Sequence, residues 1–144
     1  MTTVRQILDA KGHSVETIAP QATVFDALQR MSSKELGALV VLEDGQICGL
    51  VSERDYARKV ILLGRASRDT QIADIMTRQV QTVRPDQKVG DCMVLMTEGR
   101  FRHLPVLEDG RLVGIISIGD VVKAIMEEQQ LTIEQLETYI TGRG

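Results

Sequence analysis

The chain has 144 residues and a net charge of −3, with 43% hydrophobic and 26% charged residues. This size and balance are typical of a folded globular protein with its own core, and they exclude a largely disordered chain. The acidic balance, with a pI of about 5.4, argues against a broad basic surface for nucleic acid but allows a small anionic ligand beside a local positive charge.

The predicted elements begin with a short helix, "VRQIL" (residues 4–8), and an extended segment, "VETIAP" (residues 15–20). Pro20 favours extended geometry in the residue that precedes it. An amphipathic helix follows, and Thr23 with Asp26 suits its start. The apolar residues that recur at helical spacing are Val24, Ala27, Leu28 and Met31.

A hairpin of two strands is predicted next. The apolar run "ALVVLE" (residues 38–43) is short and rich in branched residues, which is typical of a buried strand. Asp44 and Gly45 supply a tight turn, because glycine tolerates the positive φ that such turns require. The return strand "QICGLVS" ends at Ser52, where a second helix begins.

The same layout is then written a second time. Residues 80–126 align with residues 15–61 at a constant offset of 65, and 15 of the 47 aligned positions are identical. The segment "LLGRASRDTQ" (residues 62–71) is predicted to link the repeats, and "IADIM" (residues 72–76) to be a short helix that introduces the second. The helical spacing of the second repeat is carried by Val89, Cys92, Met93 and Met96.

The end of the chain is predicted to be helical. Past residue 126 the helix continues, with a restart at Thr132, which pairs with Gln135 as a capping box. The predicted division of the chain is an introductory helix with the first repeat (1–68), the second repeat (69–128) and a C-terminal helical extension (129–144).

Each repeat therefore has the order β-α-β-β-α. The predicted fold class is α+β, a mixed α/β arrangement in which each repeat forms a mixed three-stranded sheet with helices on one face. Two repeats are too few for a solenoid, so we expect them to be related by pseudo-twofold symmetry.

The junction between the return strand and the second helix is the most unusual feature. It reads "SERD" at Ser52 to Asp55 and "SIGD" at Ser117 to Asp120. One interpretation is structural: a serine with an acid three residues later forms a capping box, worth about 1 kcal/mol. The other is functional, because a helix N-terminus suits phosphate and a carboxylate accepts hydrogen bonds from the hydroxyls of ribose.

The two junctions differ in their nearby cations. In the first repeat Arg54 lies between the serine and the acid, where it can contact phosphate. The second repeat has Gly119 at that position, and its cations, Arg102 and His103, precede the strand instead. The alternative interpretation is that Arg102 and His103 lie in a solvated loop and have no role in binding.

These motifs resemble the cystathionine β-synthase (CBS) domain. The resemblance rests on "GALVVLEDGQICGLVSERDYARKV" and "RFRHLPVLEDGRLVGIISIGDVV", and it covers about residues 3 to 128. The chain looks like a stand-alone tandem CBS pair, the unit often called a Bateman module.

The resemblance implies an adenosine ligand, such as AMP, ADP or ATP, or in some members NAD or S-adenosylmethionine, in clefts between the two repeats. The aspartate of each junction would hold the ribose, and the serine hydroxyl with nearby basic residues would hold the phosphate. Apolar residues of the strands would contact the adenine. Arg84 departs from the small residue at Ala19, which weakens the second adenine pocket, and Gly37 and Ala38 supply no cation to the first. The candidate ligand-binding residues are Thr17, Ile18, Ala19, Leu50, Val51, Ser52, Arg54, Asp55, Val83, Arg102, His103, Ile115, Ile116, Ser117 and Asp120.

The sequence argues against an enzyme. It carries no phosphate-loop, nucleophile-elbow or H-E-x-x-H motif, and Cys48 and Cys92 have no spaced partners that would form a metal site. Three hypotheses follow: a nucleotide-responsive regulatory module that signals to a partner protein, a scaffold of the same fold without a ligand, or a weak hydrolase or transferase acting on the nucleotide. No catalytic cofactor is expected.

The expected partners are a small-molecule nucleotide, a second protomer and an unidentified target protein, without nucleic acid or membrane. The resemblance implies a homodimer formed through helices, with "DALQRM", "DCMVLM" and "LTIEQLETYI" as candidate surfaces. No signal peptide or span of roughly 20 apolar residues is visible, and the two cysteines suit buried reduced thiols. We therefore expect a soluble, cytoplasmic protein.

Overall fold

The computed structural model of the protein describes residues 1–141, so the last three residues of the predicted C-terminal extension lie outside the described part. Within residues 1–141 there are five α-helices and five strands. They are α1 Val4–Lys11, β1 Thr17–Ile18, α2 Val24–Lys34, β2 Ala38–Glu43, β3 Gln46–Ser52, α3 Glu53–Tyr56, α4 Val89–Gly99, β4 His103–Glu108, β5 Arg111–Ser117 and α5 Ile118–Thr141. A π-helical turn, Ala57–Ile61, follows α3, and a 3-10 turn covers Ile72–Asp74.

Contacts group these elements into two compact units: residues 15–80 form the first, and residues 1–14 with 81–141 form the second. In the first unit β1 runs parallel to β2, and β2 pairs antiparallel with β3. The helix α2 begins after Thr23, whose hydroxyl accepts from the Asp26 N–H while the Asp26 carboxylate accepts from the Thr23 N–H. The predicted mixed three-stranded sheet and helix start of this repeat are confirmed.

Both predicted hairpin turns are confirmed by their backbone angles. Asp44 and Gly45 have φ of 53° and 75°, and Asp109 and Gly110 have 51° and 77°. Two successive residues with positive φ form the turn whose twist matches that of paired strands. The repeated aspartate and glycine therefore set the register of each hairpin.

The sheet of the second unit has two strands, β4 and β5, rather than the predicted three. The segment equivalent to β1 is reduced to a single parallel bridge between Val83 and Val106. There the Val83 N–H donates to the Pro105 carbonyl at 3.0 Å, and the Leu107 N–H donates to the Val83 carbonyl at 2.9 Å. Pro105 has no N–H to donate, so the ladder lacks the bond that its equivalent in the first repeat, Val40, makes to Glu16.

The two introductory segments do not pack with the repeat that follows them. In α1, Val4 and Leu8 are buried in the core of the second unit, although they precede the first repeat. The short helical turn that begins at Ile72 precedes the second repeat in the chain, as predicted, but it is buried in the core of the first unit. The boundaries 1–68, 69–128 and 129–144 follow sequence order and stay a prediction.

The helix α5 runs without interruption for 24 residues, so the predicted restart at Thr132 is wrong. The Thr132 hydroxyl donates to the Glu128 carbonyl at 3.0 Å, a bond that a threonine makes inside a helix rather than at its cap. Within residues 1–141, no helix combines the length and apolarity needed to cross a bilayer. Cys92 is fully buried, which raises the pKa of its thiol to about 11, and Cys48 is half-buried.

Candidate functional site

The first corner, defined as Ser52 to Asp55, is a capping box at the start of α3. Ser52 has extended backbone angles, its N–H donates to Asp55 Oδ2 at 3.0 Å, and its hydroxyl accepts from the Asp55 N–H at 3.3 Å. The Ser52 hydroxyl also lies 3.1 Å from Asp55 Oδ2. Because the strand β3 ends at this residue, the hairpin holds the acid at the edge of the sheet.

The second oxygen of Asp55 is also engaged. Oδ1 accepts from the Thr77 hydroxyl at 3.2 Å and lies 3.0 Å from Lys59 Nζ. Lys59 donates in addition to the Ile75 carbonyl at 2.9 Å. The Asp55 side chain is only 11% exposed, so its charge is balanced within the first unit.

The second corner, Ser117 to Asp120, repeats the capping box at the start of α5. The Ser117 N–H donates to Asp120 Oδ2 at 2.8 Å, and the Asp120 N–H donates to the Ser117 hydroxyl at 3.2 Å. Here the lysine comes from α1: Lys11 Nζ lies 2.7 Å from Asp120 Oδ2 and donates to the Ile115 carbonyl at 3.0 Å. Within residues 1–141 Asp120 Oδ1 receives no hydrogen bond, and the side chain is 22% exposed.

The electrostatics of the second corner favour an ionised acid. Burial alone would raise the pKa of Asp120, but the Lys11 ammonium and the Ser117 donors outweigh it and lower that pKa. His103 is the register partner of Ser117. Burial and the positive charge of Lys11 lower the pKa of His103, against the opposing effect of Asp120, so its imidazole is held neutral.

The predicted cations lie differently in the two corners. Arg102 is exposed, and its carbonyl accepts from the Ile118 N–H at 2.9 Å, which places it beside the N-terminus of α5. Arg54 is an exposed residue of α3 in the first corner. The structure therefore brings Arg102, His103 and the serine and acid of the second corner together.

The predicted adenine-binding residues divide into two groups. Four are packed in the cores, with exposures of 0–3%: Ile18, Val51, Val83 and Ile116. Leu50 is 9% exposed, Thr17 and Ile115 are half-buried, and Ala19 is exposed. The contact of any of these residues with a ligand stays a prediction.

Three residues that complete the corners were not predicted from the sequence: Lys11, Lys59 and Thr77. Lys59 follows Asp55 by four residues, which is the spacing of a helical ion pair and was an available signal. Lys11 lies 109 positions from Asp120, and no local pattern connects them. The tertiary structure alone reveals that contact.

Two shallow depressions lie on helices, and the one on α5 begins at the second corner. One is on α2, lined in part by Asp26 and Arg30, and the other is on α5, lined in part by Ile118, Val122 and Met126. Within residues 1–141 no group of three or more histidine, cysteine or acidic residues is placed to hold a metal ion.

Two hairpin-and-helix repeats, each ending in a serine and an acid that cap the next helix, define a duplicated βαββα protein. The family model of the CBS domain matches residues 4–61 and 72–127. The chain belongs to the CBS domain family, and the predicted resemblance is confirmed.

Relatives support this assignment. The chain is 40% identical over 150 residues to the mitochondrial CBS domain-containing protein CBSX3 of Arabidopsis thaliana, a match that spans 98% of this chain and 73% of the relative. A structure of a protein with CBS domains from Burkholderia ambifaria MC40-6 is 50% identical, with a TM-score of 0.85, over 89% of this chain and 96% of that one.

A more distant structure shares the fold. The CBS domain pair of protein MJ0100 is 23% identical, with a TM-score of 0.76, over 89% of this chain and 98% of that one. That protein is in complex with 5-methylthioadenosine and S-adenosyl-L-methionine. The CBS domain pair is a known regulatory module, and this chain contains one.

Proposed function

We propose that the protein is a regulatory module that binds an adenosine nucleotide, AMP, ADP, ATP or NAD, and signals its occupancy to a partner protein. The observation that carries the proposal is the geometry of the second corner. Asp120 is fixed by its cap, is kept ionised, and retains Oδ1 as an acceptor for a ribose hydroxyl.

The phosphate would lie at the N-terminus of α5, which is a 24-residue helix with a full dipole. Arg102 adds a flexible cation beside that terminus, and Lys11 adds a second on the acid. The first corner begins a four-residue helix, and both oxygens of Asp55 are already engaged. We therefore expect the second corner to bind more tightly than the first.

The ligand class is supported by the fold. A protein of the same fold, the MJ0100 pair, holds two adenosine-containing molecules. The absence of a nucleophile motif in the sequence supports a binding rather than a catalytic role. The predicted cytoplasmic location and homodimer belong to the same proposal, although one relative is named as mitochondrial.

The scaffold hypothesis has its own support. In each repeat the acid accepts from a serine N–H and contacts a lysine, so capping and ion pairing alone give both acids a structural role. If that role is the whole of their function, no adenosine compound will bind.

Calorimetric titration and thermal unfolding with AMP, ADP, ATP and NAD test the proposal. A ligand at a hundred times its dissociation constant stabilises the folded protein by about 2.7 kcal/mol. We expect Asp120→Asn to remove most of that stabilisation and Asp55→Asn to remove less. Asp109→Asn is the matched control, because Asp109 lies in a hairpin turn where asparagine is equally suited to positive φ.

Binding that survives Asp120→Asn unchanged would contradict the assignment of the second corner. No stabilisation by any of the four compounds would favour the scaffold. Loss of the nucleotide over hours, followed by chromatography, would favour the hydrolase or transferase.

A further inference from the structure

The ammonium group of Lys11 lies at the second corner and uses two of its donors there. Nζ donates to the Ile115 carbonyl at 3.0 Å and lies 2.7 Å from Asp120 Oδ2. A lysine carries three N–H donors, and within residues 1–141 these two oxygens are the acceptors that Nζ contacts. The Lys11 side chain is 35% exposed, so its third donor is accessible to a ligand that enters from solvent.

The packing of α1 fixes the position of this ammonium. The helix rests on β5 through Leu8, and a Cβ at Gly114 would lie only 2.7 Å from Leu8 Cδ2. Lys11 follows Leu8 by three residues, so it lies on the same side of α1, about one turn further along. Gly114 precedes Ile115 in β5, and the close approach at the glycine therefore brings Lys11 to the Ile115 carbonyl.

A lysine in the last turn of a helix has an ordinary explanation. Its charge opposes the negative end of the helix dipole, and Lys11 is the basic residue of the last turn of α1. That explanation requires no contact outside the helix, whereas both contacts of Lys11 are with β5 and α5. A partly exposed ion pair also adds little stability by itself. These contacts are better explained by an ammonium positioned for a ligand.

The gap between Lys11 and the second oxygen of Asp120 suits a pair of neighbouring hydroxyls. Oδ1 accepts no hydrogen bond within residues 1–141, and Nζ is 2.7 Å from Oδ2. Since the two oxygens share one carbon, Nζ lies no more than about 5 Å from Oδ1. The 2′ and 3′ hydroxyls of ribose are adjacent and cis. One of them can therefore donate to Oδ1 while the other accepts from Nζ.

We propose that Lys11 is a ligand-binding residue and that, together with Asp120, it binds the cis-diol of a ribose. We name this pair the diol site. The inference rests on the proposed function, in which the second corner binds an adenosine nucleotide. It adds that the corner distinguishes a ribonucleotide from both of its deoxy forms. It also adds that the ligand fixes the last turn of α1, because the ribose would join α1 to α5.

The first corner does not offer an equivalent of the diol site. Lys59 donates to the Ile75 carbonyl and lies 3.0 Å from Asp55 Oδ1. That oxygen already accepts from the Thr77 hydroxyl, and Oδ2 accepts from the Ser52 N–H. A diol would have to displace one of these donors before it could contact the acid. The diol site is therefore a property of the second corner.

Calorimetric titration of the full chain tests the diol site. The probes are AMP, 2′-deoxy-AMP and 3′-deoxy-AMP, together with the three corresponding triphosphates. We expect the unaltered protein to bind each ribonucleotide about 10- to 100-fold more tightly than either deoxy form, because each deoxy form lacks one hydrogen bond to a charged group. In Lys11→Met the preference over one deoxy form should fall to roughly threefold or less, whereas the preference over the other should remain, because Asp120 still accepts from that hydroxyl.

Arg5→Met is the matched control. Arg5 lies on the same helix and forms an ion pair with Glu108, at the hairpin end of β4 and away from the corner. Its loss weakens the attachment of α1 without removing a donor from the diol site. The preference for ribonucleotides should therefore stay as in the unaltered protein. Circular dichroism checks that both variants are folded.

Hydrogen exchange tests the effect on α1. The Gly12 N–H donates to the Leu8 carbonyl at 2.7 Å and closes the last turn of the helix. Its protection should rise roughly fivefold or more when AMP or ATP saturates the unaltered protein. In Lys11→Met, saturated with the same nucleotide, the protection should not change, because the ligand no longer contacts α1.

The outcomes separate this inference from the proposed function. If no ribonucleotide binds, both are overturned. If Lys11→Met weakens the ribonucleotide and both deoxy forms equally, Lys11 only holds Asp120 in place, and the diol site is wrong while the proposed function stands. Equal changes in Arg5→Met and Lys11→Met would also overturn the inference, because they would assign the effect to the attachment of α1 rather than to the ammonium.

Discussion

Asp55 and Asp120 occupy equivalent positions of the two repeats, but each receives its lysine from a different element. In the first unit the cation is Lys59, one helical turn after the acid. At the offset of 65 its equivalent in the second repeat is Ala124, and the cation there is Lys11 from α1. The equivalent of Lys11 in the first unit is Met76.

Both corners thus contain an ion pair between the aspartate and a lysine, but the lysine comes from a different element in each unit. The offset of 65 extends into the introductory segments, where Gln6, Ile7 and Asp9 match Gln71, Ile72 and Asp74. Both units therefore use the same kind of segment to complete the corner: Thr77 follows one, and Lys11 ends the other. The two corners therefore differ in chemistry. Both carboxylate oxygens of Asp55 accept hydrogen bonds, whereas among residues 1–141 Asp120 accepts them only at Oδ2 and Oδ1 is still able to accept one.

The largest expected effect follows from the introductory segments. Leu8 is 1% exposed in the core of the second unit, so Leu8→Ala should destabilise that unit by about 2–5 kcal/mol. Met76→Ala should do the same to the first unit. Hydrogen exchange checks the assignment: Leu8→Ala should lower amide protection in β4 and β5, and Met76→Ala in β2 and β3. The reverse pattern would contradict the contacts described above.

A smaller loss of stability is expected from substitutions at the two glycines against which the introductory segments pack. A Cβ at Gly49 would lie 2.7 Å from Met76 Sδ and 3.0 Å from the Thr77 carbonyl oxygen, whereas one at Gly114 would meet only the end of the Leu8 side chain, at 2.7 Å. A backbone atom cannot move aside as a side-chain end can. Gly49→Ala should therefore cost about 1–3 kcal/mol and Gly114→Ala less, by urea unfolding. Equal costs would show that the two contacts are equally rigid.

Removing the lysines compares the corners directly. Lys11→Ala leaves Asp120 with Ser117 donors alone, while Lys59→Ala leaves Asp55 with Ser52 and Thr77. Both lysines are more than a third exposed, so solvent screening limits the cost to about 1 kcal/mol, with Lys11→Ala the more damaging. Because Lys11 lowers the pKa of Asp120, its loss should raise that pKa towards its usual value, as an NMR titration of the carboxylate would show.

The sign of the pH effect follows from that shift. A carboxylate whose pKa is lower in the folded than in the unfolded protein adds stability above the unfolded pKa, and that stability is lost as the pH falls through the folded value. Below about pH 4 the unfolding free energy of the Lys11→Ala variant should therefore decrease less steeply with falling pH than that of the unaltered protein. An unchanged acid limb would show that Asp120 is not the group responsible.

Local sequence signals predicted much of this structure, but they did not predict its long-range contacts. The hairpin turns at Gly45 and Gly110 and the capping boxes depend on residues within three or four positions of each other, and the repeat shows itself as identities at a constant offset of 65, so a sequence displays all three directly. The packing of α1 and the Lys11–Asp120 pair join residues more than a hundred positions apart, which no local pattern specifies. The missing strand hydrogen bond at Pro105 was a signal available in the sequence, because proline has no backbone N–H to donate.

The smallest expected effect is at His103, which occupies the position of Ala38 in the first repeat. Burial and Lys11 lower its pKa in the folded protein, so the unfolded chain binds the proton more readily. The unfolding free energy should then fall as the pH drops from about 7 through the unfolded value of about 6.5, by at most about 1.4 kcal/mol per pH unit. His103→Gln should flatten this slope, measured by urea unfolding at several pH values. The matched control is His13→Gln, because His13 is exposed on the surface beside Asp9, and a slope that disappears in this control instead would assign the proton to His13.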